Sequence, residues 1–446
     1  MESLLEGGTD LFDLDARGDS YDALLNREDE HPVLEVLRKR IAAGSKPGER
    51  RDNLKVGLAI EGGGMRGCVS AGMIASVVTL GLMDTFDAVY GSSAGSLVGT
   101  YAIAGQECMP RLGCSVYYDA LTGPGRHFID TRYIFRAMGL GLLGTLLTRW
   151  RGLWELLRQA SFLSTSYEYG SPVLKLDYLL YDVVENQRPL DWDRFWSMQE
   201  KQPLHVIASA VKSGKSISMS SRRGHFSTLR ELTNCMRASM LLPGITGPMV
   251  NLPGVDEPLV DSQLYEPIPF RTALKDGCTH VVVLRSRPDG ANLVGKPKLA
   301  EKMIMRRFFK RKNKMADPYY YMKHGGHKNL YAKAVLTLNK GARATAEDEG
   351  PYLLPLSLSE MEGEVPRLER GRAEILTGVR KGYQHAHDVL KRTTPEDPTS
   401  SIDGWQAAMM MFPDSILEAD ADPVVAKILE EAKFKDQKSE VATVTA

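Results

Sequence analysis

Two short clusters of small residues carry types that could do covalent chemistry. Gly91-Ser92-Ser93-Ala94-Gly95 fits the pattern G-x-S-x-G. In that pattern a serine on a tight strand-to-helix turn projects its hydroxyl above a sheet edge. A side chain at Gly91 or Gly95 would collide where strand and helix approach. An apolar strand precedes the cluster, and a helix with the small residues Ala94, Ser96 and Gly99 follows it, so Ser93 is the candidate nucleophile. Upstream, Glu61-Gly62-Gly63-Gly64-Met65-Arg66-Gly67 also lies between a strand and a helix. Consecutive glycines let several N–H groups converge, and a helix N-terminus adds positive field there. Such a nest suits a phosphate or a developing carbonyl oxyanion. Gly62, Gly64 and Gly67 also meet the G-x-G-x-x-G spacing of dinucleotide sites, but no Gly-Lys-Ser/Thr follows, and the second strand delivers a serine. Acyl transfer is therefore favoured, and a nicotinamide-dependent oxidoreductase rests on glycine spacing alone.

The elements that must hold these clusters follow from apolar patterning. Leu54–Ile60, Phe86–Tyr90, His205–Val211, Pro258–Asp261 and His280–Leu284 read as strands, the last almost purely β-branched, as a strand buried on both faces requires. Helical spacing runs over Pro32–Ile41, Val69–Leu80, Ala94 to about Ala104, Thr228–Met240 and Pro269–Lys275. Strands alternating with helices predict an α/β fold of three layers, a mostly parallel sheet with helices on both faces. Along the chain we expect an acidic, mobile arm and helix over 1–53, a catalytic core over 54–290, a mostly helical extension over 291–395, and a terminal segment with a disordered tail over 396–446.

Composition narrows the function. The chain has 446 residues, 43% hydrophobic and 25% charged, which is enough to bury a core. Lys+Arg and Asp+Glu both number 56, so there is no global basic field and nucleic acid is not an expected partner. The five cysteines, Cys68, Cys108, Cys114, Cys235 and Cys278, show neither pair nor metal spacing, which fits a reducing compartment. Residues 1–30 hold ten acids against two arginines and no apolar run, so neither a secretory leader nor a transit peptide is expected, and the expected location is cytoplasmic. The uncharged stretch Ala137–Thr148 is twelve residues, short of the ~20 that a membrane span needs.

A serine hydrolase needs a base, and in α/β hydrolases a late histidine supplies it. His385 and His387 lie on a charged helical pattern that reads as a solvated face, and His324 and His327 lie in a Gly-rich basic loop suited to the surface. No histidine therefore fits the role. Taken together, Gly62-Gly-Gly-Met-Arg-Gly67 and Gly91-Ser-Ser-Ala-Gly95 on successive strand-to-helix turns resemble the patatin-like phospholipases. Three later blocks extend the likeness in order: Arg237-Ala-Ser-Met-Leu-Leu-Pro243, Leu259-Val-Asp-Ser-Gln-Leu-Tyr-Glu-Pro-Ile-Pro269 and Gly277-Cys-Thr-His-Val-Val-Val-Leu284. The likeness spans roughly Lys55 to Arg287.

The resemblance implies a Ser-Asp dyad, Ser93 with Asp261, acting without histidine, metal or cofactor. It implies an acyl-enzyme, an oxyanion hole at Gly62, Gly63, Gly64 and Met65, an elbow framed by Gly91 and Gly95, and a role for Arg66 and Gly67 in holding the loop or a lipid phosphate. For Arg66 a structural ion pair is an equal alternative. Two departures stand out: Ser262-Gln263 follows Asp261 where the family has two small residues, and Glu61 stands where Asp is common. Gln263 keeps open a second reading, a catalytically silent scaffold that binds lipid or a partner.

Patatin-like enzymes act on fatty-acyl esters of phospholipase A or lysophospholipase type, so the expected partner is lipid at a membrane or droplet surface. Two segments are candidates for that contact. Tyr133–Leu163 is leucine-rich, with Trp150 and Trp154 near arginines, and reads either as an interfacial segment or as a core helix pair. Residues 302–314 hold seven basic residues and no acid, with Phe308 and Phe309 between them, and read as an anionic-lipid contact or a solvated face.

Overall fold

The computed structural model describes residues 20–106, 113–123, 128–138, 172–291 and 299–418. Seven strands among them form one sheet: β1 (Val56–Ile60), β2 (Ala88–Ser92), β3 (Leu204–Ala210), β4 (Lys215–Met219), β5 (Leu259–Val260), β6 (His280–Leu284) and β7 (Tyr352–Leu356). The order is β4-β3-β2-β1-β6-β7, and β5 also pairs with β3. The ladder from β3 to β7 is parallel throughout, while β4 and β5 run antiparallel to β3. The fold is α/β with a mostly parallel sheet, as the alternation predicts.

Strand side chains alternate between two cores, as a pleated sheet requires. Leu58, Ile60, Val89, Val282 and Leu284 face one cluster, and Ala59, Tyr90, Val281 and Val283 face the other. The first face is covered by α3 (Gly67–Thr79), α4 (Ala94–Ile103) and α9 (Arg372–Leu390). The second is covered by α6 (Phe270–Lys275) and α8 (Gly326–Ala342). Two helices precede β1, namely α1 (Ser20–Leu25) and α2 (Pro32–Ala42).

The crossover from β1 leads to β2 on one side, and that from β6 leads to β7 on the other. Adjacent strands whose connections part in this way leave a crevice beyond their carboxyl ends, where ligands of open α/β sheets bind. Both glycine-rich clusters lie at that end.

Several expectations change. The α1 helix is packed rather than mobile: Leu24 is fully buried, and Ser20 Oγ bonds to Asp289 Oδ2 at 2.9 Å. His385 and His387 are buried, because α1 and a helix over Gly404–Met411 cover the α9 face that the flanking charges had suggested was solvated. His385 packs on Tyr21 with ring centroids 4.3 Å apart, and burial lowers the pKa of both imidazoles. His327 is buried as well, while His324 is exposed. Phe308 and Phe309 belong to a core cluster with Leu241 and Val260, so they do not reach a membrane; the charges around them do stay outside. Pattern reading missed β4 and β7. β7 contains Pro355, which a sheet accommodates at an edge. Cys68, Cys114, Cys235 and Cys278 are buried. No helix among the described residues is long and apolar enough to cross a membrane. Residues 139–163, most of the leucine-rich candidate, as well as Cys108 and the tail beyond 418, lie outside the described residues.

The contact between α3 and α9 fixes the C-terminal third onto the core. A Cβ at Gly382 would overlap Val69 O, and one at Gly72 would overlap Val379 O, so the two helices touch backbone to backbone. Gly382→Val is expected to destabilise the fold by about 3 kcal/mol or more through overpacking, read as a lower urea midpoint.

Candidate active site

Ser93 directly follows β2 in a backbone conformation that side chains avoid, φ 51° and ψ −124°. Such a residue costs on the order of 1–3 kcal/mol and persists only where its surroundings hold it. Here the Ser93 N–H donates to Ser239 Oγ at 2.7 Å, and the Ser93 carbonyl accepts from Ser96 Oγ at 2.6 Å. Ser239 in turn donates to Ile207 O on β3. It sits in the last turn of α5 (Leu229–Ser239), whose start is fixed by a capping box between Thr228 and Glu231. Gly91 and Gly95 are needed sterically, since a Cβ at either would overlap backbone of the turn or of β1.

Asp261 directly follows β5. The two candidate residues come together because β2 and β5 hang on the same neighbour: Ser92 is in register with Ile207, and Val260 with Ser209. Ser93 Oγ donates to Asp261 Oδ2 at 3.0 Å across 168 residues of chain. The other carboxylate oxygen accepts from the Gln263 N–H at 2.8 Å. Asp261 is 3% exposed, and burial pushes its pKa up to about 6, against the lowering effects of those two hydrogen bonds and of Arg367. A carboxylate with its pKa raised this way is a better proton acceptor.

The glycine turn follows β1. The amides of Gly62, Gly63 and Gly64 have no hydrogen-bond partner among the described residues. Gly62 lies against Ser93, since a Cβ there would stand 2.7 Å from Ser93 Cβ. The Met65 N–H is engaged, donating to Arg367 O at 3.1 Å, so that amide is not open for an oxyanion in this arrangement. Gly67 begins α3 against Tyr117 and Ala94. Arg66 is 1% exposed, bonds to Ser286 Oγ at 3.1 Å and pairs with Glu364, so it braces the loop.

Sequence reasoning passed over four contributors. Glu61 is a buried anchor whose carboxylate accepts from the Ser286 N–H and the Tyr331 hydroxyl, both at 2.7 Å, tying β1 to β6 and α8. Its longer reach explains Glu where Asp is common. Ser239 stands in the Arg237–Pro243 block, whose likeness was visible although the role was not. Arg367 and Tyr331 come from beyond the resembling stretch, where no motif marks them. Gln263 does not crowd the dyad, because its side-chain oxygen turns to Arg367 Nη1 at 2.8 Å.

These residues open on a cavity of about 740 Å³, within the usual size of small-molecule sites. Leu97, Leu121, Phe128, Leu174, Leu176 and Leu179 line part of it, with Ser93, Asp261 and the glycines at the polar end. The arrangement is suited to acyl transfer from an ester with a long apolar group.

A family model for the patatin-like phospholipases matches residues 58–274. The chain carries a patatin-like phospholipase domain. Lipid acyl hydrolase activity is what that family implies. Among solved structures the chain is similar to VipD from Legionella pneumophila, with 14% identity over 77% of this chain and 67% of that one and a TM-score of 0.31. No curated protein matches the sequence. The patatin-like domain ends before β6, so Glu61, which lies inside it, finds its partners Ser286 and Tyr331 outside.

Two substitutions probe this geometry. The Asp261 pKa is higher in the fold than in the unfolded chain, so ionisation favours unfolding and stability falls as pH rises from ~4 through 6. Asp261→Asn should therefore stabilise the protein by up to roughly 3 kcal/mol at pH 8 and by almost nothing at pH 4, measured by chemical denaturation at both. Ser239→Ala strands the buried Ser93 N–H and should cost about 1–3 kcal/mol, with a matching loss of turnover.

Proposed function

We propose that the protein is a lipid acyl hydrolase of phospholipase A or lysophospholipase type that works through Ser93 and Asp261. The reading rests on the 3.0 Å hydrogen bond between Ser93 Oγ and Asp261 Oδ2 at the polar end of a leucine-lined cavity. Asp261 takes the hydroxyl proton as Ser93 Oγ attacks the ester carbonyl. The tetrahedral oxyanion is received by the amides of Gly62, Gly63 and Gly64, each such donor typically worth about 3–4 kcal/mol. Collapse expels the alcohol, a lysolipid or, from a lysophospholipid, a glycerophosphoryl alcohol, which leaves with the proton from Asp261. Water then repeats the attack on the acyl-enzyme, again losing its proton to Asp261, and frees the fatty acid.

The substrate sits in a membrane or a droplet, so the protein must meet that surface. The basic side chains of Lys302, Arg306, Lys310, Arg311 and Lys314 are exposed on the stretch that runs from α7 (Leu299–Met305) through Lys314, and Leu299 beside them is 74% exposed. Each basic residue near an anionic leaflet contributes about 1 kcal/mol. In this role the protein works from the cytoplasm as a peripheral enzyme, a setting that free thiols allow.

Ser93→Ala and Asp261→Asn should each lower ester hydrolysis by at least ~10³-fold while the fold survives. A fluorophosphonate should label the unaltered chain at Ser93, whereas a silent scaffold would stay unlabelled. Because Asp261 must be ionised to accept the proton, kcat/KM should fall as pH drops through about 6. A profile flat from pH 5 to 8 would remove Asp261 as the base.

A further inference from the structure

One wall of the cavity has no part in ester chemistry. It carries Arg287, His327 and Arg367, all from beyond residues 58–274. Arg287 follows the carboxyl end of β6, His327 lies in the first turn of α8, and Arg367 comes from the segment between β7 and α9.

Each of the three has unspent hydrogen-bonding capacity. Arg367 gives one N–H to the neutral Gln263 oxygen and has no carboxylate within ion-pair distance among the described residues. Burial, with repulsion from Arg66 and Arg287, brings its pKa down to about 10. Arg287 shares Glu364 with Arg66; its Nε lies 3.2 Å from Glu364 Oε1 but makes no hydrogen bond. His327 is 5% exposed, with Nε2 at 3.6 Å from Glu301 and Nδ1 without a partner. Three acids line the cavity, and Glu301 stands beside His327. Glu61 accepts from Ser286 and Tyr331, and Asp261 accepts from Ser93 and Gln263. His327 is buried and the two arginines are half-buried, so donors left without acceptors here favour a ligand that completes them.

Guanidinium groups complement the oxygens of a phosphate in a planar, forked geometry. We infer that Arg287, His327 and Arg367 form a subsite for the phosphate of a lipid head group, in the cavity whose leucines take the acyl chain. Arg66, which the family likeness offers for a phosphate, is held by Ser286 and Glu364 and is not needed for it. The subsite gives the enzyme a preference for phosphate-bearing lipids over neutral acylglycerols. This rests on the hydrolase reading for its acyl-chain wall.

Binding to the full chain carrying Ser93→Ala tests it without turnover. Titration with 1-oleoyl lysophosphatidic acid and with 1-oleoylglycerol compares one acyl chain with and without a phosphate. The phosphate-bearing lipid should bind at least tenfold tighter, and Arg367→Gln in the same background should bring the ratio within twofold. Arg287→Gln, measured alongside, should reduce it at least threefold, and it decides the matter if the Arg367 variant does not fold. Equal affinities in the Ser93→Ala protein overturn the subsite, as does a ratio that the folded variants leave unchanged. Inorganic phosphate separates a head group from a free anion. It should compete only at millimolar concentration, and phosphate binding as tightly as lysophosphatidic acid overturns the head-group assignment. Fluorophosphonate labelling of the unaltered chain reads the hydrolase function separately, so either conclusion can fail alone.

Discussion

A hydrogen bond between a serine and an aspartate 168 residues apart depends on one strand. β3 carries β2 on one side by parallel pairing and takes β5 antiparallel near its own end. Ser93 and Asp261 each stand one residue past a strand locked to β3, so the register of two ladders sets the distance between their oxygens. Ser239 adds a third tie by joining the Ser93 amide to the β3 carbonyl of Ile207. Strain at Ser93 and burial of Asp261 both oppose folding, and this local lattice holds them in place. Functional sites commonly carry such costs.

A second set of ties fixes the glycine turn. The glycine turn is held from below by Glu61, which reaches across to Ser286 and Tyr331, and from the side by Arg66. It is touched from above by Arg367, whose carbonyl takes the Met65 amide and whose guanidinium takes the Gln263 side chain. One residue of the C-terminal third thus links the glycine turn to the loop that follows Asp261. Preorganised donors are effective because they need no rearrangement at the moment of reaction.

How much of this could be read beforehand follows from the range of each interaction. The strands β1, β2, β3 and β6 and the helices between them are written in local apolar runs, and His280–Leu284 appears with the same limits in sequence and structure. The elbow and the glycine turn are local too, because tight turns demand particular residues at fixed offsets. Asp261 has no local signature beyond its short strand, and only family likeness singled it out. His385 and His387 were misread because their cover arrives from α1 and from residues 404–411, which no periodicity within α9 can reveal. Phe308 and Phe309 were misread for a related reason: seven charges surround them in sequence, yet the backbone turns both rings inward. β7 was hidden by its proline, and Arg367 lies in a stretch with no pattern at all.

The helix crossing at Gly72 and Gly382 carries a consequence for how this protein came to be assembled. Because α9 rests on α3 with no side chain between them, and β7 extends the same sheet, the recognised domain is not a portable module that could be lifted out and grafted elsewhere. Drift in the last third of the chain is constrained by the first, so the two must have changed in step, and a duplication or fusion breaking between them would leave β6 with a raw, unpaired edge.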